Sequence, residues 1–320
     1  MMQCRICGNE KENQEYQVRE MMFGYRDLFK YFQCSRCRCL QISEVPKDLG
    51  KYYPASYYSY SSRAPLSTRA GVRGMIWKLR TQYAVFNKGI LGRLLYAKFP
   101  EVILRSLSLV SLTKESRVLD VGCGAGNLVY ALRELGFEHL LGIDPFNDRD
   151  YDYPNGVHIR KLHLDEVQGT WDLVMFHHSF EHVPDPLDTL ATVHRMLNPG
   201  GQCLIRIPTV SSYAWEHYRT DWVQLDAPRH LFLHSRESMS ILAGKTGYEV
   251  SRIAYDSDAF QFMGSEQNMR DVPLRDSRSY MENPGKSMFT GKQIAEFARR
   301  AADLNKSGQG DQAAFCLRRV

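Results

Sequence analysis

The chain has 320 residues, 43% of them hydrophobic and 24% charged, as in an ordinary globular protein with room for one large domain and an appendage. No run of eighteen apolar residues occurs, which excludes a conventional membrane-spanning helix, and the opening MMQCRICGNEKENQ lacks the layout of a secretory leader, so a cytoplasmic location is expected. The net charge of +5 is unevenly placed: residues 51–114 carry eleven Lys or Arg against one acid, Glu101, which points to an anionic partner.

The first segment, residues 1–45, holds two C-x-x-C pairs, Cys4/Cys7 and Cys34/Cys37, separated by 26 residues. Each pair can form a knuckle presenting two thiolates, and two knuckles complete a tetrahedral zinc site. Gly8 permits the tight turn after the first pair, and Cys39 is a spare thiol that could replace Cys37. Four sulfur ligands leave no position for water, so the zinc is expected to be structural, in a small ribbon.

The second segment, residues 46–115, opens on KYYPASYYSYSSRAP and continues as a basic helical linker. Apolar residues at Ile90, Leu91, Leu94, Leu95, Val102, Ile103 and Leu107 suggest amphipathic helices broken near Pro100. Such helices can cover the edge of the next domain, or lie peripherally on a membrane surface.

The third segment, residues 116–320, alternates strand and helix patterns. SRVLDVG, LLGID, WDLVMF and GQCLIRIP read as buried parallel strands, with helices around 127–136, 186–197 and 236–246 and final strands EVSRIAY and QAAFCLRRV. This alternation predicts an α/β, doubly wound, mostly parallel sheet. VLDVGCGAGNL is a strand running into a glycine-rich turn and a helix; Gly122, Gly124 and Gly126 let the backbone approach a ligand at the carboxyl edge of the sheet. Asp120 before the first glycine would repel a pyrophosphate and suits a cationic ligand end, while Asp144 in LGIDPF suits ribose hydroxyls.

On these residues, with Asp165 in KLHLDEV and the LNPGG before the fifth strand, residues 116–320 resemble the class I S-adenosylmethionine-dependent methyltransferases. The resemblance implies a seven-stranded Rossmann-like sheet. It implies that Gly122 and Gly124 line the methionine part of the cofactor, that Asp144 binds the ribose, that Asp165 faces the adenine amino group, and that His177 contacts the cofactor through its backbone. A zinc ribbon before such a domain, with YYPASYYSY, HHSFEHVPDP and DAPRHLFLHS, is similar to bacterial sugar and surface-polysaccharide methyltransferases. The implied substrate is an anionic sugar nucleotide or a lipid-linked glycan, methylated on oxygen or carbon.

The chemistry asks for an acceptor aligned with the methyl group and for a base to remove its proton; histidine suits that task near neutral pH. His178, at the end of WDLVMFH, and His230, in QLDAPRHLFLHS, are the candidate bases, with Glu181 and His182 bracing the loop that positions them. Trp215, Tyr218 and Trp222 are expected to form a sugar-binding wall. His178-x-x-Glu181-His182 also matches the inverted zinc-protease signature. The Pro-Asp-Pro that follows leaves no long helix to present it, and nitrogen at position 178 disfavours magnesium, so no catalytic metal is expected there. An RNA methyltransferase gripping phosphates with its ribbon and basic linker is the less favoured reading, because FHHSFEH lacks the Asn/Asp-Pro-Pro-aromatic motif of base amino-group methylation. A non-catalytic scaffold of the same fold is the third.

Overall fold

The computed structural model describes residues 2–54, 71–100 and 102–320; most of the tyrosine cluster, including Tyr57, Tyr58 and Tyr60, lies outside the described residues. The central sheet is built from β4 (Val118–Val121), β5 (Leu140–Ile143), β6 (Tyr151–Asp152), β7 (His158–Arg160), β8 (Trp171–His177), β9 (Leu197–Pro208), β11 (Tyr248–Tyr255) and β12 (Gln312–Arg319). Their spatial order is β11-β12-β9-β8-β4-β5-β7-β6. Strands β7, β5, β4, β8 and β9 pair in parallel, and β12 runs antiparallel between β9 and β11. The seven expected strands are all present. An eighth, the two-residue β6, adds an antiparallel hairpin on the outer edge of β7.

Helices cover both faces, so the inner strands read as unbroken apolar runs: Leu173, Val174, Met175 and Phe176 are all fully buried. The helices Asn127–Glu134, Pro186–Met196 and Arg236–Lys245 fall where the periodicity placed them. Caps set their starts: the Asp185 side chain accepts from the Asp188 N–H, and that of Ser235 from the Ser238 N–H.

The linker forms helices Gly71–Phe86, Ile90–Lys98 and Val102–Arg105. Ala84, Val85, Leu104 and Leu107 pack beneath the sheet against Val118, Leu173 and Met175, so this segment covers one face of the domain. The predicted stripe is only partly used. Ile90, Leu91 and Leu94 stay exposed, because Gly92 makes the close approach, with its Cα against the Leu79 carbonyl and Tyr83.

The amino-terminal ribbon contributes β1 (Gln14–Arg19), β2 (Leu28–Gln33) and β3 (Leu40–Ile42). Its sheet is completed by β10 (Phe232–Leu233), which pairs antiparallel with β3. The ribbon thus shares backbone hydrogen bonds with the stretch that carries His230, and Tyr31 Oη donates to the His230 carbonyl at 2.8 Å. Arg229 and Glu20, both fully buried, form an ion pair across the same junction at 3.0 Å.

Candidate functional site

The glycine turn leaves the carboxyl end of β4. Gly122 and Gly126 have φ of +73° and +80°, and a Cβ on either would come within 2.4 Å of Ser179 Cβ or 2.3 Å of Ile159 Cδ1. Only glycine fits both conformation and space. Gly124 has φ +54°, and its N–H donates to Asp144 Oδ2 at 2.9 Å. Asp144, at the end of β5, also accepts from the Phe146 N–H, which fixes its carboxylate at the lip of the turn. Asp165 lies on a short 3-10 turn after β7 and is exposed. His177 ends β8; both its ring nitrogens are buried without partners, and burial with the Arg206 charge pushes its pKa well down.

Asp120 lies inside β4 at 2% exposure, and its Oδ1 has no hydrogen-bond partner. Burial, with the nearby Asp144 charge, raises its pKa to about 8. A dry carboxyl group beside a backbone cradle fits a ligand that brings a cation to the turn, as the aminoacyl end of S-adenosylmethionine would. The structure therefore gathers Asp120, Gly122, Gly124, Gly126, Asp144, Asp165 and His177 along one sheet edge, at the ends of neighbouring strands.

The second cluster begins one residue beyond β8. His178 has φ +54°, and its N–H donates to the Arg206 carbonyl. Its Nε2 accepts from Arg206 Nη1 at 2.6 Å, so the ring proton sits on Nδ1, 3.5 Å from Glu181 Oε1. Arg206, itself buried, is held in turn by Asp256 at 2.6 Å. Glu181 is fully buried on the short turn Phe180–His182. Burial raises its pKa, but His178, His182 and His230 outweigh that and hold it at about 2. His230 joins the cluster from the β10 side with Nε2 3.8 Å from Glu181, and burial, with the His182 charge, lowers its pKa to about 4. His178, Glu181, His182 and His230 are thus brought together.

The aromatic wall requires correction. Trp215 and Trp222 are fully buried and Tyr218 nearly so, and Trp222 Nε1 donates to Asp311 Oδ2 at 2.9 Å. The rings form core between ribbon and sheet, with Tyr16 of β1 edge-on to Trp215 at 5.1 Å. Two indoles carry too much apolar surface to remain wet once the ribbon docks.

Sequence reasoning missed Arg206 and Asp256. Arg206 carried a signal, a lone charge in the otherwise apolar QCLIRIP; Asp256 carried none. It also missed Arg229 with Asp226 and Glu20, a buried ionic triad beneath His230.

At the ribbon tip, Cys4, Cys7, Cys34 and Cys37 place their sulfurs within 4.8 Å of one another. The Cys4–Cys37 and Cys7–Cys34 pairs are each 3.5 Å apart. Tetrahedral zinc with Zn–S near 2.3 Å needs sulfurs about 3.8 Å apart, far beyond a disulfide bond, so the set fits one zinc. Cys39 lies outside the cluster, buried with its thiol toward the Leu40 carbonyl, which leaves Cys37 as the fourth ligand.

Residues 95–253 match the sequence model of a family described as a methyltransferase domain. The ubiquinone biosynthesis O-methyltransferase of Pseudomonas aeruginosa strain UCBPP-PA14 is 32% identical over 100 residues, 28% of this chain and 43% of that protein. That of Aromatoleum aromaticum is 33% identical over 97 residues, 27% of this chain and 41% of the relative. The chain therefore spans less than half the length of these relatives. Among solved structures, the cyclopropane synthase MmaA2 from Mycobacterium tuberculosis is 16% identical, with TM-score 0.43, over 82% of this chain and 97% of that one. Residues 95–253, just under half of the chain, thus match the methyltransferase-domain model, and their strand order is that of the class I methyltransferase fold.

Proposed function

We propose that the protein transfers a methyl group from S-adenosylmethionine to an oxygen or carbon of an anionic sugar, carried on a nucleotide or a lipid, in bacterial surface-polysaccharide or deoxysugar synthesis in the cytoplasm. The cofactor would supply a sulfonium methyl group. Asp120 and the glycine turn hold its cationic end, Asp144 its ribose and Asp165 its adenine amino group. Cys4, Cys7, Cys34 and Cys37 hold a structural zinc that stiffens the ribbon.

The observation that carries the reading is the His178–Arg206 pair beside the glycine turn. Arg206 keeps His178 Nε2 unprotonated and so able to take a proton, and Glu181 faces the Nδ1–H, where its charge stabilises the imidazolium that forms. An acceptor group inserted between His178 and Arg206 would give its proton to the imidazole, and its electron pair, held facing the guanidinium, would take the methyl as the sulfonium S–C bond breaks. His230, with His182 and Glu181, supports this arrangement from below.

Two further features favour an anionic sugar. A cleft of about 310 Å³ opens between ribbon and sheet, with Gln33, Ser211 and Tyr213 offering hydrogen bonds and Arg38 and Arg236 offering charge, partly offset by Glu216 and Glu237. Residues 71–98 carry six basic residues and no acid, beside the exposed Val72, Met75, Ile90 and Leu91, a surface suited to a lipid carrier or the membrane face that holds it. The test is transfer of labelled methyl onto a panel of sugar nucleotides, lipid-linked glycans and RNA. Label in a sugar fraction, abolished in Arg206→Ala and partly restored in Arg206→Lys, is expected. Label appearing only in RNA would overturn the assignment.

A further inference from the structure

The helices Gly71–Phe86 and Ile90–Lys98 form a hairpin that is packed on its inner side only. On the first helix Thr81, Ala84 and Val85 are buried, the last two against Val118, Leu173 and Met175. On the second, Gly92 is buried against the Leu79 carbonyl and Tyr83. At about 100° of turn per residue, two apolar stripes run opposite these faces. One is Val72, Met75 and Ile76, the other Ile90, Leu91 and Leu94. All six side chains are exposed, Ile90 at 84% and Leu94 at 64%. A helix of a globular domain turns such a stripe toward a core, so stripes left outside mark a surface that meets something else.

The surrounding charge says what that is. Residues 71–98 carry Arg73, Lys78, Arg80, Lys88, Arg93 and Lys98 and no acid. These six exceed the net charge of +5 of the whole chain, so the remainder is slightly negative and the molecule is polarised toward the hairpin. Arg73, Lys78, Lys88, Arg93 and Lys98 are exposed, and among the described residues none of them is held in an ion pair. Cations beside an outward apolar stripe suit a helix lying in the plane of an anionic bilayer, its cations on the headgroups and its apolar side chains among the acyl chains. A second copy of the chain would bring six more cations against these. A nucleic acid would answer the charge but leave Ile90, Leu91 and Leu94 in water.

We infer that this hairpin attaches the protein to the surface of an anionic lipid bilayer, as a peripheral anchor lying in the interface. Among the described residues no helix is long and apolar enough to cross a membrane, so the attachment is to one leaflet. Leu173 and Met175 beneath the hairpin lead, along the same face of β8, to His177. The anchor and the carboxyl edge of the sheet therefore share one side of the molecule. The attachment rests on the hairpin and not on the identity of the methyl acceptor.

The test is flotation of the full chain on vesicles of phosphatidylcholine alone and of phosphatidylcholine with an equal part of phosphatidylglycerol. Attachment to the mixed vesicles is expected, with little to phosphatidylcholine alone. It should weaken as salt rises from about 0.1 M to about 1 M and the screening length falls from about 10 Å to about 3 Å. Lys88→Gln/Arg93→Gln should weaken binding about 25-fold, roughly fivefold for each cation. Ile90→Ser/Leu94→Ser should weaken it by more than about 100-fold, because two large apolar side chains return to water. These positions are exposed, so melting curves should match the wild type, and the lipid and salt dependence of the wild type needs no variant. Flotation is read without methyl transfer, so its failure leaves the proposed reaction standing, and failure of the reaction leaves attachment standing. No flotation, equal flotation on both vesicles, or folded variants floating like the wild type would each overturn the inference. So would a dimer that Ile90→Ser/Leu94→Ser abolishes, or RNA binding, in place of vesicle attachment.

Discussion

The four ribbon thiols and the cluster of Glu181, His182 and His230 beyond β8 are assembled differently. The four thiols come from two C-x-x-C knuckles on the ribbon, each closed by a local turn, and the ribbon hairpin needs only to bring one knuckle to the other. Glu181 and His182 leave the end of β8, while His230 arrives on a stretch that pairs with β3 and is anchored through Arg229 to Glu20. The first cluster is made by the ribbon alone. The second exists only while ribbon, sheet and the β10 stretch are docked. The comparison teaches that the cysteine ribbon can act at a distance, as the wall against which the histidines proposed for catalysis are held.

The largest effect expected is from removing the ribbon metal. In Cys4→Ser/Cys37→Ser the zinc is lost, and with it a binding free energy that reaches about 10 kcal/mol or more in small zinc domains. Proteolysis within residues 2–45 and collapse of methyl transfer are expected. If transfer survives at wild-type rate, the ribbon does not support the histidines. Next comes Trp222→Ala, which empties the core between the two regions and should cost about 3–5 kcal/mol in urea unfolding. A normal midpoint with a raised acceptor KM would restore the abandoned sugar wall.

Asp144→Ala removes a charged acceptor from the cofactor edge and should weaken S-adenosylmethionine by about 2 kcal/mol, roughly thirtyfold, in calorimetry. The effect should appear equally in a His230→Asn background, which separates the glycine-turn edge from the histidine cluster. The smallest expected effect is in pH dependence. Asp120 titrates at about 8 in the folded chain without ligand, above its ordinary value of 3.8. Stability from its neutral form is thus fully present below pH 3.8 and lost as pH rises through about 8. A cationic ligand needs the ionised form, so cofactor affinity should rise about tenfold between pH 7 and pH 9 and then level off. Asp120→Asn should flatten that profile; an unchanged slope would place the cation elsewhere.

Much of the glycine-turn edge was legible because its residues are sequential with the strands that carry them. Asp120, Gly122, Asp144 and His177 each follow from finding a strand and reading the next few letters. The histidine cluster was legible only in part. His178, Glu181 and His182 adjoin β8, and His230 stood out by its surroundings, but nothing in the chain order says that His230 faces Glu181. Arg206 is not legible as a site residue from its strand alone, because its partner, Asp256, comes from just beyond the end of β11. Trp215 and Trp222 misled for the converse reason: aromatic residues near a site look like a binding wall until the ribbon covers them.

The sequence by itself determined the elements, their order and the two local chemistries, the thiol knuckles and the glycine turn. Periodicity, turn residues and short spacing are properties of neighbours along the chain. Tertiary structure decided which face of the linker is buried, that β10 joins the ribbon sheet, and that Glu181 stands buried among the imidazoles of His178, His182 and His230. Those outcomes depend on burial and on electrostatic contacts between residues as far apart as Glu20 and Arg229, 209 positions, which arise only when separate surfaces exclude water together.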